Sequence, residues 1–434
     1  MESTLNAPTP AMTDANATRP LPFADHIRNQ FESLRRQPEL ANDLNCFRPG
    51  EALTSIRYIA HSHSVHVARW LKVLSHTKTK VTIDTANPIP PFSNDYVASI
   101  PLLPQWLRLP MTIRYFLGGL VLRFWATRPS NELIHAHSAS GNGLVAWMSG
   151  RRYVLGTYGS EIYGAKQRGK IYCWMLNKIL QKADRISVGS LESIKILTEE
   201  YGIPAERIYF FHLGYDDTNF RPLEHSQRTQ SRKDRQLPAD EPIWVVNRRT
   251  HPHYRTMELV SGFLQYCQDN ARGRLVLLCG DHLPEYTKGI RDVIQANPAG
   301  HRVVVIEQML SAKELASWVQ LGDYSLSVPK TDNFSISTLE SMGCGTVPIL
   351  ANLEGYSMLR ACRAVRWMTR FEPADFATTF TETAKSWPAP LDAQSKECVR
   401  FVQDGYSTEG AIRDIAAFYL GNRQRQAAIL KKAA

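Results

Sequence analysis

The sequence predicts an α/β protein built from two doubly wound, Rossmann-like parallel sheets, each covered by helices. Two observations carry this prediction. Segments with strand-like and helix-like apolar patterns alternate along residues 55–201 and again along 243–350. In addition, the chain has 434 residues, more than a single hydrophobic core normally serves. We therefore expect two domains, with a ligand cleft where the carboxyl ends of both sheets meet.

The N-terminal part of the chain is predicted to contain an extension followed by the first domain. Residues 1–50 form the extension, and about the first 20 of them are polar enough to predict disorder. The first domain spans residues 51–225. Its predicted strands are 55–60, 80–84, 132–136, 153–156 and 185–188, and its predicted helices are 65–75, 142–149, 170–182 and 190–201.

The C-terminal part begins with a linker, 226–242, which is almost wholly polar. A second domain follows at 243–405, and the final segment, 406–434, is predicted to be a helix that packs back on the first domain. The predicted strands of the second domain are 243–247, 274–279, 302–306, 323–328 and 346–350, and its predicted helices are 256–267, 286–296, 311–320 and 335–343.

The charge balance of the chain indicates an anionic partner. The sequence has 51 Lys and Arg against 41 Asp and Glu, a net charge of +10. Such an excess suits a nucleotide, a nucleic acid or an acidic membrane surface. A basic nucleic-acid-binding protein is the remote alternative, because the sequence contains no nucleic-acid-binding motif. We therefore expect a nucleotide-type ligand and no nucleic acid.

Cysteine usage and the N-terminus favour a cytoplasmic protein. The seven cysteines form no Cys-x-x-Cys pair and are odd in number, so neither a zinc module nor a disulfide framework is indicated. The N-terminus lacks the pattern of a signal peptide, and no stretch reaches the roughly 20 apolar residues of a bilayer span. We expect neither secretion nor insertion into a membrane.

Two acids, Asp332 and Glu340, lie eight positions apart around the start of the predicted helix 335–343. The preceding strand ends at the cleft, so the helix N-terminus is directed into it, and the backbone N–H groups of 334–337 attract an anion such as phosphate. An acid near bound phosphate typically accepts hydrogen bonds from a ribose. In the alternative interpretation, Asp332 caps the helix and Glu340 lies on its solvated face.

The run PKTDNFSISTLESMGCGTVPI at 329–349 resembles the Glu-x7-Glu signature of retaining glycosyltransferases with the GT-B fold, in the family-four and glycogen-synthase-like group. The resemblance implies that Glu340 binds the ribose of a nucleotide-sugar donor and that Asp332 binds the transferred sugar. Asp332 is one methylene shorter than the Glu of the family, and Ser335 replaces a common glycine. The implied donor-binding segment consists of Asn333, Phe334, Ser335, Ile336 and Ser337.

Other stretches add cations to the implied donor site. The segment IWVVNRRTHPHYRTMELVSGF resembles the strand, loop and helix that clamp the donor diphosphate in this family, and Arg249 and Arg255 have the matching spacing. Two cations there would stabilise the departing diphosphate. Arg248 competes for this role, and two solvated arginines are the plain alternative. Gly280, in a Cys-Gly-Asp run, matches the loop near the base.

In the first domain, LIHAHSASGNGLVAWMSGRRYVLGTYGSEIYG resembles the family segment that contacts donor sugar and acceptor. It implies a catalytic role for His137, which should face the cleft at its strand end, although a structural histidine is the alternative. Gly159, Ser160 and Glu161 are acceptor-side candidates, with helix capping as the alternative for Glu161. Ser64 is a further candidate, in a loop near the phosphates. We expect no metal site among the neighbouring histidines, since no acid or cysteine completes a ligand set.

Residues 101–128 are basic and aromatic and contain no acid. This composition is typical of a segment that binds an anionic membrane surface. Arg114 and Arg123 nevertheless fall on opposite sides of a helix, which favours a helix packed on the first domain. Both interpretations remain open at this point.

Together, the resemblance implies a retaining glycosyltransferase that moves a sugar from a nucleotide-diphosphate sugar to an acceptor hydroxyl, with no cofactor and without a required metal. A saccharide or lipid-linked saccharide in cell-envelope or exported-polysaccharide assembly is the expected acceptor. The expected location is the cytoplasm, with the inner face of the membrane as a peripheral site. A GT-B sugar-nucleotide epimerase or phosphorylase is the alternative.

Overall fold

A computed structural model describes residues 55–61, 64–75, 77, 79–88, 97–124, 132–332, 334–388 and 391–421. Two all-parallel sheets organise these residues, one of seven strands and one of six. The predicted fold class, two parallel α/β Rossmann-like units, is confirmed. The predicted extension 1–50, Asn333 and the basic end of the chain lie outside the described residues.

The first sheet has the strand order β3-β2-β1-β4-β5-β6-β7. Its strands read as short apolar runs because helices cover both faces, so that most of their side chains are buried. The strands are β1 (Ser55–Ile59), β2 (Lys80–Thr85), β3 (Val97–Pro101), β4 (Leu133–His137), β5 (Tyr153–Gly156), β6 (Arg185–Val188) and β7 (Ile208–Phe210).

The helices of this half are α1 (Val65–Leu74), α2 (Met111–Phe124), α3 (Gly141–Met148), α4 (Ser160–Tyr163), α5 (Lys170–Lys182) and α6 (Leu191–Glu199). They divide into two layers. Leu71 of α1 belongs to the core on one face of the sheet, whereas Leu122, Val145 and Ile179 share the core on the other face. The connection from β1 to β2 runs in one direction along the sheet, and the connections from β3 onward run in the opposite direction. Because each crossover is right-handed, helices on connections of opposite direction lie on opposite faces.

The predicted linker is not an irregular tether in the structure. It contains helix α7 (His225–Asp234), whose Arg232 is buried. Arg232 and Arg228 both donate to the carboxylate of Asp323, at 2.9 and 2.7 Å, and this carboxylate also accepts from the backbone N–H of Ile243. Some of the polar side chains of this segment therefore belong to an ion cluster of Arg228, Arg232 and Asp323, which fixes α7 to the second sheet.

The second sheet has the order β10-β9-β8-β11-β12-β13. The order reverses between β8 and β11, which leaves a crevice at their carboxyl ends. The strands are β8 (Ile243–Val246), β9 (Arg274–Leu278), β10 (Val303–Ile306), β11 (Tyr324–Ser327), β12 (Val347–Ala351) and β13 (Arg366–Met368). The helices are α8 (Thr256–Asp269), α9 (Pro284–Gln295), α10 (Ala312–Val319), α11 (Ile336–Gly343), α12 (Pro373–Ser386) and α13 (Leu391–Tyr406).

The last described helix, α14 (Thr408–Leu420), packs on the first sheet. Ser407 caps it by accepting from the backbone N–H of Gly410, and Ile412 and Phe418 join the core that α1 covers. Its Tyr419 hydroxyl reaches His135 Nδ1 at 2.9 Å. The chain thus returns to its N-terminal half after completing the second sheet. Within the described ranges, no helix is both long and apolar enough to cross a membrane.

Candidate active site

The candidate site lies in a cleft that we define by the loops after β1, β4 and β5 of the first sheet and after β8 and β11 of the second. On the second sheet, Arg248 and Arg249 follow β8, and Asp332 follows β11. Because parallel strands present their carboxyl ends at one edge, these loops come together at the point where the strand order reverses. This position agrees with the expected place for a ligand.

Ser335 shapes the entry into α11. It is fully buried, and its Oγ accepts a hydrogen bond from the backbone N–H of Thr338, so the N-cap is Ser335 rather than Asp332. Its φ of −91° is an ordinary extended value, and therefore this position does not require the glycine common in the resembled family. The N–H groups of Ile336 and Ser337 begin the helix, where they have no intrahelical acceptor.

Arg248 occupies the entrance to this helix. One of its Nη atoms donates to Asp332 Oδ2 at 2.7 Å, and the other donates to Ser335 Oγ at 2.7 Å and to Ser337 Oγ at 2.9 Å. Burial opposes its charge, but Asp332 together with Tyr356 and Tyr254 favours the charged form, and the net effect raises the pKa of Arg248 above its ordinary value. Tyr356 also donates its hydroxyl to Asp332 Oδ2, at 2.8 Å. A positive charge and a helix N-terminus therefore converge, an arrangement that attracts an anion.

The structure places the other predicted cations differently. Arg249 is 44% exposed in its side chain, 3.7 Å from Asp281, beside the turn at Gly280. Gly280 has a φ of +58°, which favours glycine. Arg255 donates to the carbonyl of Val328 at 2.8 Å and lies over the Phe371 ring. Arg255 is thus occupied beside the strand end, whereas Arg248, the competitor in the sequence, is the arginine at the start of α11.

Glu340 is buried, with 8% of its surface exposed, so it does not lie on a solvated face. Burial raises the pKa of its carboxyl, and the charge of Arg69 opposes that rise. Arg69 belongs to α1 of the first half and approaches Glu340 Oε1 to 3.5 Å. Arg69 was missed by the sequence reasoning, although its position three residues before Lys72 on one helix face was a usable signal.

His137 differs from the expectation that it faces the cleft. Only 1% of it is exposed. The rings of Tyr58 and His135 cover it at centroid distances of 4.2 and 4.0 Å, and its Nδ1 is 2.7 Å from the hydroxyl of Tyr158. Burial lowers the pKa of His137 well below its ordinary value, so the ring is neutral. His135 and His137 are two positions apart on β4, so both rings point to the same face of the sheet, into the aromatic core beneath the cleft.

His66, at the start of α1, is exposed, and the sequence reasoning left it without a role in the site. Its ring stacks on Tyr158 at a centroid distance of 4.3 Å. Desolvation of the ring and the charge of Arg69 lower the pKa of His66 to about 4, although the charge of Asp332 opposes this shift. His66 thus lies between the polar groups of the two halves. The usable signal was its place in the first helical turn after the first strand.

The acceptor-side candidates have mixed positions. Ser64 precedes α1, and its backbone N–H donates to the carbonyl of His61 at 3.0 Å. Gly159 has a φ of +95° at the start of α4, and Ser160 is exposed. Glu161 is buried and accepts from the backbone N–H of Tyr158 at 2.9 Å. Glu161 therefore stabilises its own loop, as in the capping alternative, while Ser160 remains available to a ligand.

The two halves also meet directly at the edge of the cleft. The ring of His212 stacks on Phe334 at a centroid distance of 3.7 Å. Lys72 of α1 forms an ion pair with Asp216 in the segment that leaves the first sheet.

In the part of the chain that the structure describes, no group of three or more His, Cys, Asp or Glu side chains is placed to hold a metal ion.

Chemically, the cleft can hold a ligand that carries both phosphate and hydroxyl groups. Arg248, Arg249 and the start of α11 offer cationic and N–H donors to phosphate. Asp332 and Glu340 offer carboxylate acceptors to hydroxyl groups. The predicted residues Asp332, Phe334, Ser335, Ile336, Ser337 and Glu340 lie together in the structure along this one loop and helix, and their individual roles stay predictions.

Comparisons with known proteins agree with the fold and with the motifs. Residues 63–219 match the sequence model of the family described as Glycosyltransferase Family 4. The D-inositol 3-phosphate glycosyltransferase of Thermobispora bispora is 24% identical over 265 residues, which cover 57% of this chain and 61% of that protein. The chain thus matches less than two thirds of the length of that relative.

Two solved structures resemble the whole architecture. Sucrose-phosphate synthase from Thermosynechococcus elongatus matches with a TM-score of 0.68 at 16% identity, covering 86% of this chain and 100% of that one. Anabaena HepE, solved in complex with UDP, matches with a TM-score of 0.65 at 12% identity, covering 83% and 98%. At such identities the likeness establishes the fold. This chain is a GT-B-fold protein whose residues 63–219 match glycosyltransferase family 4, and the predicted resemblance to the GT-B, family-four group is confirmed.

Proposed function

We propose that this protein is a glycosyltransferase that moves a sugar from a nucleoside-diphosphate sugar to an acceptor hydroxyl. One observation carries the proposal: the partly buried, hydrogen-bonded cluster of Arg248, Asp332, Ser335 and Ser337 at the start of α11, with the buried Glu340 carboxylate farther along the same helix. A nucleoside-diphosphate sugar has a ribose, a diphosphate and a sugar in that order, which corresponds to the order of Glu340, the Arg248 cluster and Asp332 in the site.

In the proposed complex, the diphosphate lies against the N–H groups at the start of α11. Arg248 already carries its charge there, and Arg249 is free to turn toward the ligand because it is half exposed and lies 3.7 Å from Asp281. Glu340 accepts hydrogen bonds from the ribose, and Asp332 accepts them from the transferred sugar. Arg69 shares the Glu340 carboxylate and therefore has to shift when the ribose binds.

The proposed chemistry depends on electrostatic stabilisation. When the bond between the sugar C1 and the phosphate oxygen breaks, negative charge develops on the departing nucleoside diphosphate. Arg248 and the N–H groups of α11 are already fixed beside that charge, so little reorganisation is needed. The acceptor oxygen forms the new bond to C1, and its proton leaves with the diphosphate product. These protein groups can stabilise that charge whether or not a metal is bound, and we propose that none is required.

Retention of anomeric configuration is part of the proposal, on the strength of the Asp-x7-Glu motif and the family-four match. His137 is buried beneath the cleft, so a role for it would act through Tyr158, whose hydroxyl it contacts and on which His66 stacks. We propose a saccharide acceptor, lipid-linked in cell-envelope or exported-polysaccharide assembly.

The experiment that tests the proposal is a thermal-shift panel of nucleoside diphosphates. A nucleotide at 100 times its dissociation constant should add about 2.7 kcal/mol to the free energy of unfolding. UDP is the first to test, since HepE was solved with it. Glu340→Ala should erase the shift, and the matched control Glu285→Ala, at an exposed position of the same half, should retain it. An unchanged shift in Glu340→Ala, or no shift with any nucleotide, would contradict the proposal.

A transfer assay then separates the alternatives that share this donor site. A glycosyltransferase consumes the nucleotide sugar in step with glycosylation of an added acceptor. Consumption without any acceptor and with a change of sugar configuration would indicate an epimerase. A strict requirement for free phosphate would indicate a phosphorylase.

A further inference from the structure

Helix α2 presents an apolar stripe to the solvent. Ile113, Phe116 and Phe124 are exposed, at 45%, 49% and 69%, and Leu120, also on this face, is half buried. These positions recur at helical spacing and form one outward face. The opposite face carries Gly118 and Gly119, which fit against Leu102 and Met148. The helix is thus packed on the first half, as one interpretation of the sequence expected, and it is also apolar on the side that remains open.

Arg114 does not belong to that surface. It is buried, and its Nε donates to the carbonyl of Ala86 at 2.6 Å. Its guanidinium also donates to the carbonyls of Leu107 and Leu103. These bonds fix the loop in which Trp106 is 78% exposed. Arg114 therefore holds an exposed tryptophan beside the apolar stripe and contributes no charge at the surface.

Helix α5 continues the exposed apolar surface. Ile171 is 85% exposed and Trp174 is 57% exposed, and Lys170 and Lys178 lie exposed on the same side of the helix. The Trp174 ring meets Trp147 of α3 edge-on at a centroid distance of 6.2 Å. Since α2, α3 and α5 form one layer on the same face of the first sheet, the two exposed faces belong to one side of the molecule.

The charges of helices α2, α3 and α5 have one sign, because these three helices contain no acid. Between residues 97 and 124 and between 133 and 183, the sequence has ten Lys and Arg and one acid, Glu161. Of these ten cations, Arg114 is buried, Arg152 pairs with Asp184, and Lys166 pairs with Glu200. Glu161 is buried and accepts backbone hydrogen bonds. Helices α2 and α5, with Trp106, therefore combine exposed Trp, Phe and Ile side chains with lysines and no acid, which matches the composition of surfaces that enter an anionic lipid interface.

The position of the layer agrees with its composition. Helices α2 and α5 follow strands of the first sheet, so their N-terminal ends, with Ile113 and Ile171, lie on the side of the carboxyl ends and the cleft. A surface held there against a bilayer would bring a membrane-borne acceptor toward the acceptor side of the cleft.

We propose that the outward faces of α2 and α5, together with Trp106, dock on an anionic lipid bilayer. The Trp, Phe and Ile side chains enter the interface and the lysines contact the lipid phosphates. The consequence for the acceptor rests on the proposed function, whereas the docking itself is measurable without any sugar donor.

The test uses the full chain and phosphatidylcholine vesicles with and without about one third phosphatidylglycerol, separated by flotation. We expect the protein to float with the anionic vesicles, and less so at high salt. Lys170→Gln with Lys178→Gln should weaken partition about 30-fold, since each cation near the surface contributes a factor of roughly five. Phe116→Ser with Trp174→Ser should weaken it at least about tenfold.

Two exposed residues of the second half serve as matched controls. Leu283→Ser and Lys313→Gln change an exposed apolar side chain and an exposed cation away from the layer, and both should leave partition unchanged. All variants should keep the unfolding temperature and the nucleotide-induced shift of the wild type. The membrane-docking proposal and the glycosyltransferase proposal can therefore be tested separately, because vesicle binding can be lost while nucleotide binding is kept, and the reverse.

Three outcomes would overturn the docking proposal. The first is equal flotation with neutral and anionic vesicles, and the second is full binding by both layer variants. The third is a stable dimer in solution that Phe116→Ser with Trp174→Ser converts to a monomer, because a second copy would then cover this face.

Discussion

Arg248 and Arg249 are neighbours in sequence with opposite environments. Arg248 pairs with Asp332 in a partly buried cluster, whereas Arg249 is half exposed. We expect Arg248→Ala to lower the free energy of unfolding by about 3 kcal/mol, because it leaves Asp332 without its cation. Arg249→Ala should change it by less than about 0.5 kcal/mol.

Both substitutions should weaken nucleoside-diphosphate binding, which calorimetric titration beside urea unfolding would measure. Arg249 serves as the matched control for stability. If Arg248→Ala were as stable as the wild type, the ion pair with Asp332 would not hold the loop as the structure indicates.

At the residue scale, the sequence pointed to both acids and to Arg248 as a candidate cation, but it missed Arg69 and placed His137 at the cleft. Spacing and composition were enough for Asp332 and Glu340, because both lie on one local loop and helix. The burial of His137 depends on Tyr58, which comes from another strand, and on the Tyr158 loop. The contact of Arg69 with Glu340 joins residues 271 positions apart. Local sequence patterns do not predict contacts between residues that are far apart in the chain, so these features became visible only in the structure.

At the element scale, α7 depends on one carboxylate. Asp323 is 2% exposed and receives both Arg228 and Arg232 as well as the backbone N–H of Ile243. Asp323→Asn should lower the free energy of unfolding by about 3 to 5 kcal/mol, because two cations would then lack their anion. Urea unfolding measures this change.

Asp234→Asn is the control for that experiment, since Asp234 is exposed at the end of the same helix and its loss should cost less than about 0.5 kcal/mol. Equal effects of the two substitutions would show that α7 is held by its helical hydrogen bonds and not by the buried ion cluster.

The strands with continuous apolar runs were predictable from the sequence, and so were the helices between them. The residues of α7 read as a linker, because nearly all of its side chains are polar and the buried partner of Arg232 is 91 positions away. The strand β13, with three residues, is too short to show a period. Local sequence patterns do not predict elements such as α7, which is fixed by distant partners, or β13, which is too short to show the strand period.

At the scale of the whole molecule, four histidines with lowered pKa values make stability depend on pH. Burial lowers the pKa of His135 and of His212 to about 3, that of His66 to about 4, and that of His137 well below its ordinary value. Unfolded histidine has a pKa near about 6.5, so below that pH the unfolded chain binds four protons that the folded chain excludes. Stability should therefore fall as pH decreases below about 6, by roughly 5 kcal/mol per pH unit near pH 5.

Thermal unfolding between about pH 7 and pH 4.5 measures this dependence. His135→Gln should reduce the slope by about a quarter, because one of the four excluded protons is removed. The control His301→Gln, at an exposed position, should leave the slope unchanged. A flat profile in the wild type would mean that these rings take up protons in the folded protein.

Side chains from the two halves of the molecule contact each other at the cleft. Arg69 reaches Glu340 from the opposite half, and His212 stacks on Phe334 at the base of the loop that begins α11. A ligand that binds along α11 therefore touches groups from both halves. Its binding should be visible in the backbone of this helix and of the strand ends beside it.

Hydrogen–deuterium exchange with and without UDP tests this central claim most directly. We expect slower exchange at 334–340, where the first turns of α11 face the diphosphate, and at 247–249 after β8, with no change on the outward faces of α2 and α5. UDP binding that left exchange at 334–340 unchanged and slowed it elsewhere would contradict the account.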